Sequence, residues 1–259
     1  MDIDTSPAPT APTARIALAC LDLTSLNDAD TEADIDALCQ RALGPCGPVA
    51  AVCVWPRLAR HARGQLPPSI AVAAVANFPD GGSDIVSAVR DATQIVEAGA
   101  QEVDVVIPYR DLAAAPALLA AVRRACAGLR LKVILETGEL QDPALIARAC
   151  TIALDAGADF LKTSTGKTPR SASPQAARVL LQAIADSPAA HGLVGFKPSG
   201  GIRTVADAAV YIALTAEILG AAALTPARFR IGASGILADI EAVLGGTGGG
   251  SRPAAGSSY

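Results

Sequence analysis

Short apolar runs recur along this chain, each bounded by turn residues, and stretches of helical length separate most of them. A run of four to eight apolar residues between Gly, Pro, Asn or Asp is the pattern of a strand buried on both faces. The pattern predicts strands over 16–21, 49–55, 70–77, 102–107, 131–137, 159–162, 193–197 and 229–233. Pro56, Pro79 and Pro108 each stop a run, since proline cannot continue a ladder. Helices are expected over 27–40, 83–98, about 116–127, from Asp142 onward, and over 174–185, 204–219 and 234–244. Ser83 or Asp84 caps the second of these, and Asp142-Pro143 supplies a cap followed by proline at the first helical position. Gly99 and Gly157 close these same two helices with a left-handed turn. Residues 1–14 and 245–259, rich in Pro, Ala, Gly and Ser, read as flexible tails around one domain spanning 15–244. Strand–helix alternation implies a parallel sheet, and eight strands imply an α/β fold closed as a (β/α)₈ TIM barrel. A doubly wound open sheet is the alternative, but no G-x-G-x-x-G follows the first strand.

Charges inside these apolar runs carry the chemistry. Lys162 ends the sixth strand, in Asp159-Phe160-Leu161-Lys162-Thr163-Ser164-Thr165-Gly166-Lys167. A buried lysine is costly unless paired or neutralised, and one desolvated beside a second cation is an amine nucleophile suited to Schiff-base formation. A plain ion pair, or an amine reaching out to solvent, is the alternative. An internal echo favours a site. Glu97-Ala98-Gly99-Ala100 precedes strand four as Asp155-Ala156-Gly157-Ala158 precedes strand six, and this register sets Asp104 at the level of Lys162. Both strands are even-numbered, so the two side chains share one layer of the barrel. Lys197 ends the adjacent seventh strand, near enough to disfavour a second positive charge on Lys162.

Two glycine-rich turns, Gly200-Gly201 and Gly232-Ala233-Ser234-Gly235, follow strands seven and eight, where barrels commonly bind phosphate. They point to a phosphorylated small molecule. Gly166-Lys167-Thr168 resembles the end of a P-loop, but the earlier glycine position holds Leu161. A formal net charge of −4 argues against general nucleic-acid binding. No apolar run reaches the length of a membrane span, so no membrane role is expected. The acidic N-terminus lacks a signal peptide's basic start, and six scattered cysteines read as reduced core residues in a cytoplasmic protein. Cys53 is read as one of these core thiols. His61 and His191 lie away from the strand ends, so neither a catalytic metal nor any other cofactor is expected.

The chain resembles the 2-deoxyribose-5-phosphate aldolase family over about residues 16–259. The resemblance is carried by Asp22-Leu23-Thr24, Val52-Cys53-Val54-Trp55-Pro56, Asn77-Phe78-Pro79, Glu102-Val103-Asp104-Val105-Val106 and Lys132-Val133-Ile134-Leu135-Glu136-Thr137-Gly138-Glu139-Leu140. Phe160 to Lys167, Gly195-Phe196-Lys197-Pro198-Ser199-Gly200-Gly201 and the terminal Ser258-Tyr259 complete it. It implies a class I aldolase that reversibly cleaves 2-deoxy-D-ribose 5-phosphate to acetaldehyde and D-glyceraldehyde 3-phosphate, in deoxyribose phosphate catabolism. It implies Lys162 as the Schiff-base nucleophile, Lys197 as its tuning neighbour and Asp104 as a proton-transfer partner through water. Asp22, Thr24 and Lys167 would contact the sugar phosphate, and Gly200, Gly201, Gly232 and Ser234 would hold its phosphate. Tyr259 would transfer a proton, and the working unit would be a homodimer. Gly235 departs from the family pattern, where a second serine is common, and puts one phosphate contact in doubt. A non-catalytic sugar-phosphate-binding barrel and another lysine-dependent aldolase are the competing readings.

Overall fold

Most strand residues are apolar, and each strand is buried along nearly its whole length, as a sheet requires when helices cover it outside and side chains fill it inside. The computed structural model describes residues 10–246. These form strands β1 (Leu21–Thr24), β2 (Ala51–Val54), β3 (Ala71–Ala76), β4 (Glu102–Val106), β5 (Arg130–Ile134), β6 (Phe160–Lys162), β7 (Gly195–Lys197) and β8 (Ile231–Ala233). Each lies parallel to the next in sequence through β7, and β8 lies beside β1. Backbone bonds join β7 to the β8 segment: Phe196 N–H donates to Arg228 O at 2.9 Å and Arg230 N–H to Phe196 O at 3.1 Å. Gly232 N–H donates to Pro198 O at 2.9 Å. The ring is a (β/α)₈ barrel.

The helices are α1 (Ala11–Ala19), α2 (Glu32–Ala42), α3 (Pro56–Gln65), α4 (Ile85–Glu97), α5 (Ala115–Ala125), α6 (Thr137–Leu140), α7 (Pro143–Asp155), α8 (Pro174–Asp186), α9 (Val205–Leu219) and α10 (Leu237–Leu244). The caps follow the sequence signals. Asp84 accepts from Val86 N and Ser87 N, Asp142 from Ala144 N, and Thr204 forms a capping box with Asp207.

The structure corrects the expected elements in several places. The run 16–21, expected as strand one, lies mostly in α1, and the strand begins at Leu21. Residues 11–14, read as tail, open that helix, with Thr10 Oγ1 capping Thr13 N. A short apolar run does not by itself distinguish strand from helix. Here Ala14, Ala17 and Leu18 are spaced to bury one helical face, and α1 packs on α9 and α10. The second helix starts at Glu32 rather than near Asn27, because Thr31 and Asp34 form its capping box. Asp30 instead folds back, accepting from Ser25 Oγ at 2.7 Å and Asn27 N at 3.0 Å. Helices α3 and α6 were not expected. Pro56, read only as a strand stop, is also a helix opener at the first position.

Side chains alternate across the strands. Leu21, Leu23, Val103, Val105, Leu131, Val133, Leu161 and Phe196 belong to one large hydrophobic cluster shared with the helices. Leu26, Cys53, Ala73 and Val75 form a separate small cluster with Trp55 and Phe78 packed on it. The charged strand residues lie between these apolar groups.

Candidate active site

The strand register determines which charges meet. Asp104 on β4 is paired across the sheet with Lys132 on β5, and Lys132 with Phe160 on β6. Lys162 is two residues further along β6, the stagger that tilted strands need to bring alternate strands to one height. Lys162 Nζ donates to Asp104 Oδ2 at 2.8 Å. Lys162 and Lys197 are direct register partners, and Lys197 Nζ donates to that same oxygen at 2.7 Å. Lys197 Nζ also donates to Asp22 Oδ2. Lys132 Nζ bonds Asp104 Oδ1 at 2.7 Å and Glu102 Oε2 at 2.6 Å, and stands 3.5 Å from Asp22 Oδ2. Below them Arg230 reaches Asp22 Oδ1 at 2.6 Å and Glu102 Oε1 at 2.8 Å, and Arg130 adds a bond to Glu102 Oε1 at 2.7 Å.

This is a ladder of alternating charge running from the base of the barrel towards its mouth. In it Lys132, Lys162, Lys197 and Arg230 are buried against only three carboxylates, Asp22, Glu102 and Asp104. One cation is in excess, and its identity follows from the contacts. Lys132 and Lys197 each touch at least two carboxylates, and Arg230 touches two. Lys162 has one, and shares it.

The protonation equilibria follow that count. Burial pushes the Lys162 ammonium down, Asp104 pulls it up and Lys197 pushes it down again, so its pKa falls below the ordinary lysine value. Burial also opposes charge on Lys197, but Asp104 and Asp22 outweigh it and raise its pKa. Lys132 is raised in the same way by Asp104 and Glu102. Burial would raise the Asp104 carboxyl, yet Lys132, Lys162 and Lys197 together hold it well below the usual carboxylate range. The arrangement can therefore offer a neutral amine beside an ionised carboxylate and a fixed ammonium.

The other candidates lie around this cluster. Thr24 is buried and its Oγ1 donates to Asp22 O at 2.8 Å. Lys167 is half-buried, and its Nζ donates to Leu26 O at 2.8 Å, across from β6 to the loop after β1. The two glycine turns adjoin, since Ser199 and Gly232 form a bridge. Gly200 has φ +85°, and a Cβ there would sit 2.5 Å from Ser171 Oγ. A Cβ at Gly232 would sit 2.6 Å from Ser199 Oγ and 3.1 Å from Lys197 Cε, so only glycine leaves that lysine its path. Gly200 and Gly232 are buried, whereas Gly201 and Ser234 are exposed at the rim. Tyr259 lies outside the described residues. Cys53, read as a core thiol, is buried, and its Sγ stands 3.9 Å from Asp104 Oδ2 inside the barrel. Burial first, and then the Asp104 charge, push that thiol up.

Lys132, Glu102, Arg230 and Glu136 were not singled out by sequence. The signal was available for all four, because each is a charge inside an expected apolar strand and must find a partner. Arg230 lies just outside β8. Glu136 follows β5 and carries a left-handed backbone, φ +52°, which no local pattern announces.

Comparisons with known proteins identify relatives of the chain. The pattern of the DeoC/LacD family aldolases matches residues 16–235. A deoxyribose-phosphate aldolase from Agrobacterium fabrum is 47% identical over 241 residues, covering 90% of this chain and 92% of that one. The apo crystal structure of a protein assigned as a deoxyribose-phosphate aldolase from Toxoplasma gondii superposes with a TM-score of 0.82 at 26% identity, over 91% of this chain and 98% of the other. A tetrameric deoxyribose phosphate aldolase from Aeropyrum pernix shares the fold, with a TM-score of 0.70 at 24% identity over 89% and 91% of the two chains.

Proposed function

The chain belongs to the DeoC/LacD family of aldolases, and on that premise we propose that it cleaves 2-deoxy-D-ribose 5-phosphate reversibly through a Schiff base on Lys162. The observation that carries this reading is the unequal sharing of one oxygen. Lys162 and Lys197 both bind Asp104 Oδ2, and only Lys197 has a second carboxylate. Lys162 is thus the amine that gives up its proton.

Neutral Lys162 Nζ adds to the C1 aldehyde of the open-chain sugar, and the carbinolamine hydroxyl takes up a proton from solvent and leaves as water to give an iminium ion. Asp104, held ionised, takes a proton from the C3 hydroxyl through water. The C2–C3 bond then breaks, with its electrons passing into the C1–C2 enamine and C3 becoming the aldehyde of glyceraldehyde 3-phosphate. Protonation at C2 regenerates an iminium ion, and its hydrolysis releases acetaldehyde, the free amine and a proton to solvent. Lys197 stays charged and keeps Lys162 deprotonated. Asp22, Thr24 and Lys167 face the sugar phosphate in this reading, while Gly200, Gly201, Gly232 and Ser234 take its phosphate. Tyr259 supplies the proton at C2, and the working unit is a cytoplasmic homodimer whose mass sedimentation would test.

Borohydride added with deoxyribose 5-phosphate is expected to fix an adduct on the peptide containing Lys162, and acetaldehyde release should not change with a chelator. An active enzyme that yields no adduct, or one mapped elsewhere, would overturn the assignment. Tyr259→Phe should still trap the adduct but slow exchange of the acetaldehyde methyl protons with solvent, followed by NMR. Wild-type exchange in that variant would remove Tyr259 from the mechanism.

A further inference from the structure

Glu136 is fully buried two residues beyond Ile134, the end of β5, and no cation forms an ion pair with it among the described residues. Such a carboxylate is expensive to keep. Burial pushes its pKa up despite the hydrogen bonds it accepts from neutral groups and a weaker, longer-range pull from the Lys162 ammonium. Thr165 N–H donates to Oε2 at 3.2 Å, Thr165 Oγ1 to Oε2 at 2.5 Å and Thr168 Oγ1 to Oε1 at 3.2 Å. To reach them Glu136 adopts a left-handed backbone that L-residues with a Cβ avoid.

All these bonds go to one loop, the segment after β6, and they grip it on both sides of Lys167. The chain of bonds continues: Lys167 N–H donates to Thr165 Oγ1 at 3.0 Å, so the carboxylate holds the lysine backbone through one hydroxyl. The lysine side chain then crosses to Leu26 O. Between the two threonines Gly166 turns at φ +81°, and its Cα would stand 3.2 Å from a Cβ on Gly200. The loop that carries Lys167 is therefore packed against the glycine turn after β7. Thr163 Oγ1 secures the same junction by accepting from Ser199 N–H at 3.0 Å.

We propose that Glu136 is a positioning residue for phosphate recognition: its carboxylate holds the loop after β6 in the shape that presents Lys167 and backs the Gly200 turn. It touches no reacting atom and acts through Thr165. This rests on the proposed role of Lys167 towards the phosphate of the substrate. The consequence is a selective one. Loss of the clamp weakens binding of a phosphorylated sugar and leaves the lysine chemistry deeper in the barrel alone.

The test compares deoxyribose 5-phosphate with unphosphorylated 2-deoxyribose in the wild type, Glu136→Ala, Glu136→Gln and Thr165→Val. For Glu136→Ala and Thr165→Val, KM for the phosphate ester should rise roughly tenfold, about what one lost hydrogen bond to a charged group is worth. Their kcat should stay within about threefold, and KM for 2-deoxyribose should not move. Glu136→Gln keeps an acceptor for Thr165 and the same shape, so it should restore wild-type KM to within about threefold. Equal losses on both sugars would overturn the proposal, and so would Glu136→Gln behaving like Glu136→Ala. If Glu136→Ala does not fold, Thr165→Val decides alone, and an unchanged KM there counts against the clamp. A wild type inactive on deoxyribose 5-phosphate would instead refute the proposed substrate, which the first arm reads separately.

Discussion

Two lysines donate to a single carboxylate oxygen, and what separates them chemically is the second carboxylate that only Lys197 can reach. Replacing Lys197 with leucine removes one of the two influences that lower Lys162, while Asp104 stays and pulls it up. The buried count within the ladder becomes three cations against three carboxylates, so the pKa of Lys162 should rise. Each unit of rise in its pKa reduces the free amine about tenfold at neutral pH. The Lys197→Leu enzyme should therefore lose roughly two orders of magnitude or more of kcat/KM at pH 7 and recover part of it at higher pH. A pH–rate profile measured on the variant checks this; an unchanged profile would mean the two amines act independently. Lys162 and Asp104 could be named from sequence because they are strand charges that the repeat aligns, and Lys197 because it is a charge on the adjacent strand. Lys132 sits in a matching position, yet its link to Asp104 needs the register of β5 against β4.

At the level of elements, boundaries shifted and partners were hidden, but the order held. Expected strands two to eight each overlap an observed one, because buried apolar runs bounded by glycine and proline leave the backbone few options. The first strand was misread because α1 is also apolar, and only its packing on α9 and α10 distinguishes it. The loop after β6 was legible as a lysine-bearing turn. What holds it was not, since Glu136 and Thr165 are 29 residues apart in sequence. The glycine turns after β7 and β8 were legible in type, and their adjacency follows from barrel closure through Ser199 and Gly232.

The molecule as a whole is built around a buried ionic ladder, and its stability should depend on acid accordingly. Burial would raise Asp22, Glu102 and Asp104, but their lysine and arginine neighbours hold all three below their ordinary values. A depressed carboxylate stabilises the fold at any pH above its unfolded value, near 4, and that contribution is lost as pH falls through the folded value. Glu136 has the opposite sign, since its raised pKa favours folding at lower pH, but it stands alone against three. Urea midpoints should thus change little between about pH 7 and pH 5 and fall steeply below about pH 4. A midpoint held down to pH 2 would show that the ladder contributes nothing net, as buried ion pairs sometimes do.

By itself the sequence determined the alternation of strands and helices, hence the barrel, and it marked the charges that had no business inside apolar strands. Those are local properties, written in periodicity and in the cost of burying a charge. Which carboxylate each cation meets was decided only by tertiary structure, because it depends on strand register, tilt and closure across the ring. So was the inequality between Lys162 and Lys197. Both are lysines at the ends of adjacent strands, and only the folded barrel brings Asp22 to one of them and not the other.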